Sequence, residues 1–410
     1  MPEFLELIPP PEALARFLDH LHAAPEAEEV STADGLGRVT FSPVIASHPL
    51  PSFPRSTVDG YAVRSTDTHG ASESLPAYLT VVGEVPMGRA VDFSIKATEC
   101  SLIHTGGMLP QGSDAVVMVE YTQSVRQDEV EILRPVAVAE NVLAVGEDVK
   151  RGEEVLPGGV RLRPAEIGGL MALGITRLKV AQQPKVGIIS SGDEVIPPKK
   201  AIEPGQVRDV NSYTLSALVQ ERGGIPVRYG IVGDDIDLML DVVKRAQAEC
   251  ELVVITAGSS ASTRDLTAKV VGELGSPGVL VHGVNVRPGK PTILAVCDGK
   301  AVIGLPGNPV SALVIASLFV SPVLDTLLGL KRVPPKATVL ARLAINLASK
   351  AGREDWVPVR LLTDKGGYLA EPIFGKSNLI FTLAKADGLI RITADANGID
   401  SGEIVNVHIF

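Results

Sequence analysis

The segment Pro184-Lys185-Val186-Gly187-Ile188-Ile189-Ser190-Ser191-Gly192-Asp193-Glu194 decides the fold. Residues 186–190 form an unbroken run of strand length, which ends in hydroxyls, a glycine and two carboxylates. A strand with no polar alternation is one covered on both faces, as in a parallel sheet. The same rhythm continues downstream. Residues 215–222 read as a helix, 227–232 as a strand, and 237–250 as a helix apolar on one side. Residues 252–256 and 301–305 read as buried strands, the second followed by an apolar helix from Val310. Strands alternating with helices of about 10–15 residues predict βαβ units around a parallel sheet.

Upstream, residues 11–22 place Leu14, Phe17, Leu18 and Leu21 on one helical stripe, and the run 164–175 predicts a second helix. Between them, residues 49–54 hold three prolines, which forbid a helix. The stretch 55–145 carries short β-like runs at 78–82, 115–119 and 130–133, split by Gly and Pro. It reads as a mostly-β module inserted into the chain. Beyond residue 331, short strands at 338–341, 356–361, 389–392 and 405–409 predict a small β module.

The chain has 410 residues, 45% of them hydrophobic, enough for several packed cores. Lys and Arg number 38 against 48 Asp and Glu, a net charge of -10. That balance argues against a nucleic-acid binder, which needs a basic face. It leaves room for a small anion, because a local pocket can oppose the global charge. Cys100, Cys250 and Cys297 are too far apart for metal-ligand spacing and read as reduced thiols of a cytoplasmic protein. The first residues are acidic and Pro-rich, unlike a signal peptide. The apolar stretch 302–324 is interrupted by Gly304, Pro306, Gly307, Asn308, Pro309 and Pro322, so it predicts strand, turn and buried helix rather than a membrane span.

Ligands of an open α/β sheet bind beyond the carboxyl ends of its strands. Four segments sit at such ends. Residues 190–194 offer hydroxyls and carboxylates for a hard cation or phosphate, or simply a turn and helix cap. Residues 256–265, with Ser259, Ser260, Ser262, Arg264 and Asp265, read as an anion-binding loop or a flexible polar one. Arg287-Pro288-Gly289-Lys290-Pro291 sets two cations around a tight turn, aimed at an oxyanion or exposed on a hairpin. Gly304-Leu305-Pro306-Gly307-Asn308-Pro309 is a strand–turn–helix without the P-loop spacing, and no dinucleotide fingerprint follows any strand. Outside this region, Ser56-Thr57-Val58-Asp59-Gly60-Tyr61, Thr105-Gly106-Gly107 and Gly146-Glu147-Asp148 read first as turns. The scattered histidines support neither a histidine metal site nor a Ser-His-Asp triad.

Taken in order, these segments resemble the MoeA family of molybdopterin molybdenumtransferases, which includes the E domain of gephyrin. Further segments carrying the resemblance are Leu36-Gly37-Arg38-Val39, residues 109–117, Arg208-Asp209-Val210-Asn211-Ser212, Ser377-Asn378-Leu379 and Ala386-Asp387-Gly388-Leu389. The resemblance implies a multidomain α/β plus β chain. Its parts are a linking region (1–47 and 146–183), an inserted mostly-β domain (48–145), a three-layer α/β domain similar to MoaB and MogA (184–330), and a C-terminal β-barrel-like domain (331–410). It also implies a cytoplasmic homodimer with the active site between subunits. The implied substrates are adenylylated molybdopterin, supplied by a molybdopterin adenylyltransferase, and molybdate or tungstate. The implied products are AMP and a cofactor destined for acceptor molybdoenzymes.

Within that resemblance, Asp59, Glu194 and Asp265 are the catalytic candidates, and Asp59, Asp148, Glu194 and Asp265 the candidate Mg²⁺ ligands. Arg264, Arg287 and Lys290 would neutralise anions. Thr105, Ser190, Ser259, Ser260, Ser262 and Ser377 would hydrogen-bond oxyanion oxygens, and Gly192, Pro306, Gly307 and Asn308 would let backbone approach the substrate. One departure matters. The family usually reads Gly-Gly-Val-Ser-Val-Gly-Asp-x-Asp where this chain has residues 258–265, so an acidic position and two glycines are lost and an arginine is gained. That change leaves open a non-catalytic carrier or scaffold that binds molybdopterin or its metal-loaded cofactor.

Overall fold

The computed structural model describes residues 6–410 apart from 23, 127, 258–260, 334, 336 and 365, and the side chains of 261–265 are also outside the described set. Helix α1 (Pro10–Leu18) begins with proline in its first turn, where a missing N–H costs nothing. It ends earlier than the stripe suggested, but Leu21 stays buried. Ala13, Phe17 and Leu21 pack into the α/β core rather than onto the strand pair Ala27–Ser31 and Arg177–Ala181 of the linking region.

The inserted module is one six-stranded sheet. Its strands are β1 (Gly60–Val63), β2 (Ala77–Glu84), β3 (Glu99–Ile103), β4 (Ala115–Met118), β5 (Thr122–Arg126) and β6 (Glu129–Ile132), in the order β4-β1-β3-β2-β6-β5. Asp114, in the stretch 109–117, is structural here: its carboxylate accepts from the Ser65 N–H at 2.6 Å and the Ser65 hydroxyl at 3.0 Å. Helix α2 (Pro164–Ala172) follows, and at its start the Glu166 carboxylate accepts from the Arg163 N–H at 2.8 Å and pairs with the Arg163 guanidinium. That ion pair lowers the Glu166 carboxyl to about 2.

The α/β domain runs β7 (Lys185–Ser191), α3 (Asn211–Glu221), β8 (Ile225–Val232), α4 (Ile236–Glu249), β9 (Leu252–Ala257), α5 (Ala261–Gly272), β10 (Pro277–His282), β11 (Val286–Arg287), β12 (Ile293–Cys297) and β13 (Lys300–Pro306). Sheet order is β8-β7-β9-β13-β12-β10. The pairs β7–β8, β7–β9 and β9–β13 are parallel, as the unbroken apolar runs predict. β12 and β10 are antiparallel additions, so the sheet is mixed rather than wholly parallel. A hairpin from β12 to β13 needs only a short turn at 298–299, whereas another parallel strand would need a crossover helix. Packing fills both faces. Val186, Ile188, Leu252 and Val254 meet α3 and Phe319 on one side. Ile189, Val253 and Ile255 meet Met239, Val243 and Val270 on the other.

The apolar stretch resolves into β13 and a continuous helical segment: α6 (Pro309–Ile315), a π turn at Ala316–Val320, and α7 (Ser321–Leu327). Pro322 supplies no N–H to the preceding turn and its ring crowds the carbonyl four residues back, which accounts for the local widening. The segment is long and apolar enough to span a membrane, but 61% of it is buried inside the fold. Phe319, Val320, Val323 and Leu324 are fully covered, each worth roughly 1.5–3 kcal/mol.

The C-terminal module comprises β14 (Thr338–Leu343), β15 (Glu354–Asp364), β16 (Gly367–Pro372), β17 (Gly388–Ile392) and β18 (Ile404–Ile409). The order β15-β16-β14-β18-β17 closes because β17 also pairs with β15, which makes a five-stranded barrel. The short strand β11 of the α/β domain adds to it outside β15.

All three cysteines are free and buried. Burial pushes the Cys100 thiol up to about 12 and Cys297 up to about 11, and raises Cys250. An unfolded thiol ionises near 9.0, so the stability these groups contribute is complete below that pH and is lost as pH rises towards the folded values. At pH 8 an aromatic disulfide reagent is expected to label no thiol in the native chain and three in denaturant. Rapid native labelling would contradict the burial.

Candidate functional site

Strands β8, β7, β9 and β13 are mutually parallel, so their carboxyl ends share one sheet edge. Chain order places β8 on one side of β7 and β9 on the other, which makes the gap between β7 and β9 a topological switch point. The loop 190–194 opens there. Gly192 adopts φ +137, and a Cβ on it would lie 2.6 Å from a Glu194 carboxylate oxygen. The glycine therefore lets the Glu194 carboxylate fold back over its own loop.

Not every predicted ligand in this loop is free to bind. Ser190 is buried and its hydroxyl donates to the Asp209 carboxylate at 3.0 Å. Asp209 also accepts from the Ser212 hydroxyl and from the Ser212 N–H at 3.1 Å. Two residues on, Asn211 Nδ2 donates to the Gly307 carbonyl at 2.8 Å. The 208–212 segment thus ties the ends of β7 and β13 together, and it starts α3 four residues before the apolar pattern does.

Asp234, at the end of β8, escaped the sequence reading. Its carboxylate accepts from the Ser191 hydroxyl at 3.3 Å, and its N–H donates to Asp193 at 3.1 Å. Next to it, Asp235 caps α4 by accepting from Asp237 and Leu238 N–H, and the helix begins one residue before the predicted 237.

Beyond β9, Ser259 and Ser260 lie outside the described residues, as do the side chains of Ser262, Arg264 and Asp265. The backbone from Ala261 belongs to α5, so the second half of the predicted loop is the first turn of a helix.

A cavity of about 1500 Å³ opens between this sheet edge and the barrel. Arg287, Lys290, Pro306, Gly307, Asn308 and Ser377, six of the substrate-binding candidates, all line it. Asn308 Nδ2 donates to the Ser377 hydroxyl at 3.0 Å, and Val310 N–H donates to the Ser377 carbonyl at 3.0 Å, which docks the barrel on the start of α6. The lining also holds Lys269, Lys350, Arg353 and Lys376, none of them predicted. Asp355 is the one carboxylate among the described lining residues, against six Lys and Arg. Gly289 sits between the two predicted cations at φ +116, and a Cβ there would meet Ile315 at 2.2 Å.

Asp59 and Thr105 come together in the inserted module. Asp59 accepts from the Thr105 N–H at 2.7 Å and from its hydroxyl at 3.1 Å. Those two bonds, with His104 nearby, hold the Asp59 carboxyl below the usual range. His104 itself bonds Glu84 at 3.0 Å. Asp148 is exposed in the linking region. None of Asp59, Thr105, Asp148, Glu194, Ser190 and Gly192 lines the cavity. Among the described residues, no group of three or more His, Cys, Asp or Glu is arranged to hold a metal. Asp59, Asp148 and Glu194, the three of the four predicted carboxylates whose side chains are described, therefore do not meet as a cluster in one chain.

Three family models tile the chain. The MoeA N-terminal region (domain I and II) matches residues 8–174, a probable molybdopterin binding domain 187–326, and the MoeA C-terminal region (domain IV) 340–410. The chain belongs to the MoeA family. This family's curated members include the molybdopterin molybdenumtransferase of Bacillus subtilis, 31% identical over 404 residues, covering 98% of this chain and 93% of that protein. A namesake from Nostoc is 32% identical over 376 residues, 90% of this chain and 86% of that one. A crystal structure of the molybdopterin biosynthesis MoeA protein of Pyrococcus horikoshii superposes with a TM-score of 0.85 at 32% identity, covering 99% of this chain and 100% of that one. Membership places the chain among the enzymes of molybdenum cofactor biosynthesis.

Gly289→Ala tests how this chain's Arg287-Pro288-Gly289-Lys290-Pro291 turn is held. Left-handed backbone and the clash with Ile315 should together cost about 3 kcal/mol in urea unfolding. An unchanged midpoint would mean the turn is not seated as described.

Proposed function

We propose that this chain inserts molybdate or tungstate into adenylylated molybdopterin, cleaving its phosphoanhydride and releasing AMP. The carrying observation is the cavity wall, with six cations to one carboxylate among its described residues in a chain of net charge -10. Such a reversal of local sign suits a substrate with several phosphate charges and a dianionic metal oxide. Water adds across the anhydride, leaving AMP on one side and the phosphate of molybdopterin on the other. Arg287 and Lys290 offset the charge on the oxygens, and Gly307 and Asn308 offer close backbone approach. Phe374, on the cavity wall and 66% exposed, presents a flat face to a pterin or adenine ring.

The same reading calls for Mg²⁺. The sheet edge carries hard oxygen donors of the right kind: the exposed Glu194 carboxylate, and Asp234, which accepts from the Ser191 hydroxyl. A cage of three protein ligands is not needed, because Mg²⁺ commonly takes one or two carboxylates and completes its shell with phosphate and water. When bound it would offset phosphate charge and order the attacking water. Asp59 and Thr105, on the inserted module, would complete the site from the second subunit of a homodimer. Cytoplasmic residence fits the three reduced thiols.

A second reading, a non-catalytic carrier, is favoured by one observation: the altered segment 258–265 loses an acidic position and gains Arg264. AMP release by the purified chain, run with molybdate and tungstate in parallel, separates the two. Lys290→Ala and Glu194→Ala are each expected to slow release by roughly 10²-fold. Tight pterin binding with no AMP release, unaffected by Glu194→Ala, would establish the carrier instead.

A further inference from the structure

We infer that Asp355 is a positioning residue, a buried carboxylate that holds Arg287 and Arg353 together as one clamp for a tetrahedral oxyanion. This rests on the reading of the cavity as an anion site and names what orders its cations. The Asp355 side chain is only 5% exposed. One of its oxygens accepts from Arg353 Nε at 2.8 Å and the other from Arg353 Nη2 at 3.3 Å, a two-point contact that fixes the guanidinium plane. The second oxygen also pairs with Arg287 Nη1 at 3.6 Å.

The backbone enforces this arrangement. Arg287 and Asp355 are register partners where β11 of the α/β domain adds to β15 of the barrel. One carboxylate therefore joins cations from two domains, and it lies on a strand rather than a loop. Arg287 remains 64% exposed and Arg353 32% exposed, so both keep surface for a ligand. Without Asp355, two like charges would face each other across the domain junction and move apart. The neighbouring acid does something else: Glu354 bonds the Trp356 indole at 2.7 Å and Arg391 at 2.6 Å.

The proposal has a distinctive sign. If Asp355 acted only through its charge, deleting that charge would tighten anion binding. If it positions the guanidiniums, deletion weakens binding. The experiment is calorimetric titration of the full chain with inorganic molybdate and, separately, inorganic pyrophosphate, alongside AMP release. Asp355→Asn is expected to raise the molybdate dissociation constant at least tenfold, and Asp355→Glu to recover part of it. On a background of Arg287→Ala and Arg353→Ala, Asp355→Asn should change nothing further. Emission of Trp356, the single tryptophan, reports whether each variant is folded. If Asp355→Asn does not fold, Arg353→Lys decides: it keeps the charge, loses the two-point contact, and should weaken molybdate at least fivefold.

Unchanged or tighter molybdate binding in the folded Asp355→Asn variant, or in Arg353→Lys, overturns the proposal. So does a loss that persists in full on the arginine-free background. A wild-type chain that binds molybdate but releases no AMP overturns the catalytic reading alone. One that binds neither anion overturns both.

Discussion

Four parallel strands impose the constraint on which everything else in this molecule depends. Once β8, β7, β9 and β13 run the same way, every return path must cross a face, and every strand must end on the same edge. The helices that make the crossings cover both faces, which is why the strands are apolar throughout. Neighbouring strands lie about 4.8 Å apart, so the four loop ends extend over roughly 15 Å. That is long enough to meet separate groups of an extended ligand. Polar residues at the edge divide into two kinds. Ser190, Asp209, Ser212 and Asn211 spend their bonds on one another and on Gly307, which locks the loops. Glu194 is left exposed.

The cavity exists because the barrel docks against that edge. Its attachment is directional at two points: β11 pairs with β15, and Ser377 bonds Asn308 and Val310 at the start of α6. Both points lie within segments rich in Gly and Pro. Proline and glycine there are instruments of shape, since Gly289 cannot carry a side chain beside Ile315 and still hold Arg287 and Lys290 on one turn. A mean negative charge on the chain is thus compatible with a strongly positive interior wall. Asp355 is the one acid among the described lining residues, and the cations are gathered from α5, from β11 and the turn after it, and from barrel loops that are remote in sequence.

How far the sequence was readable follows from what each feature depends on. The strands 186–190 and 252–256 and the helix after Val310 were legible because burial on both faces writes itself as an unbroken apolar run. β10 was not, since an antiparallel edge strand with a half-exposed face gives a mixed pattern; β12, an apolar run buried along its whole length, was passed over. The turn residues Arg287 and Lys290, with Gly307, Asn308 and Ser377, were legible as a shared motif set and do line one cavity. Arg353 and Asp355 were not, because three charges at the start of a strand look like an exposed end until the α/β domain is laid against it. Ser190 erred the other way. A hydroxyl at a strand end looks available, and only the fold brings Asp209 to accept its hydrogen bond.

The inserted module shows how local bonds limit what chemistry a group can do. Asp59 is exposed, so burial does little to keep it protonated. Two bonds from Thr105 favour its charged form and lower its pKa. A carboxyl held this way is already ionised well into the acidic range, and it has no proton to give near neutrality. It is suited to accept a hydrogen bond, orient water or share a cation, and unsuited to act as a general acid. Thr105 therefore favours the charged form of Asp59 and holds the carboxylate in place, with its own hydroxyl already committed to it.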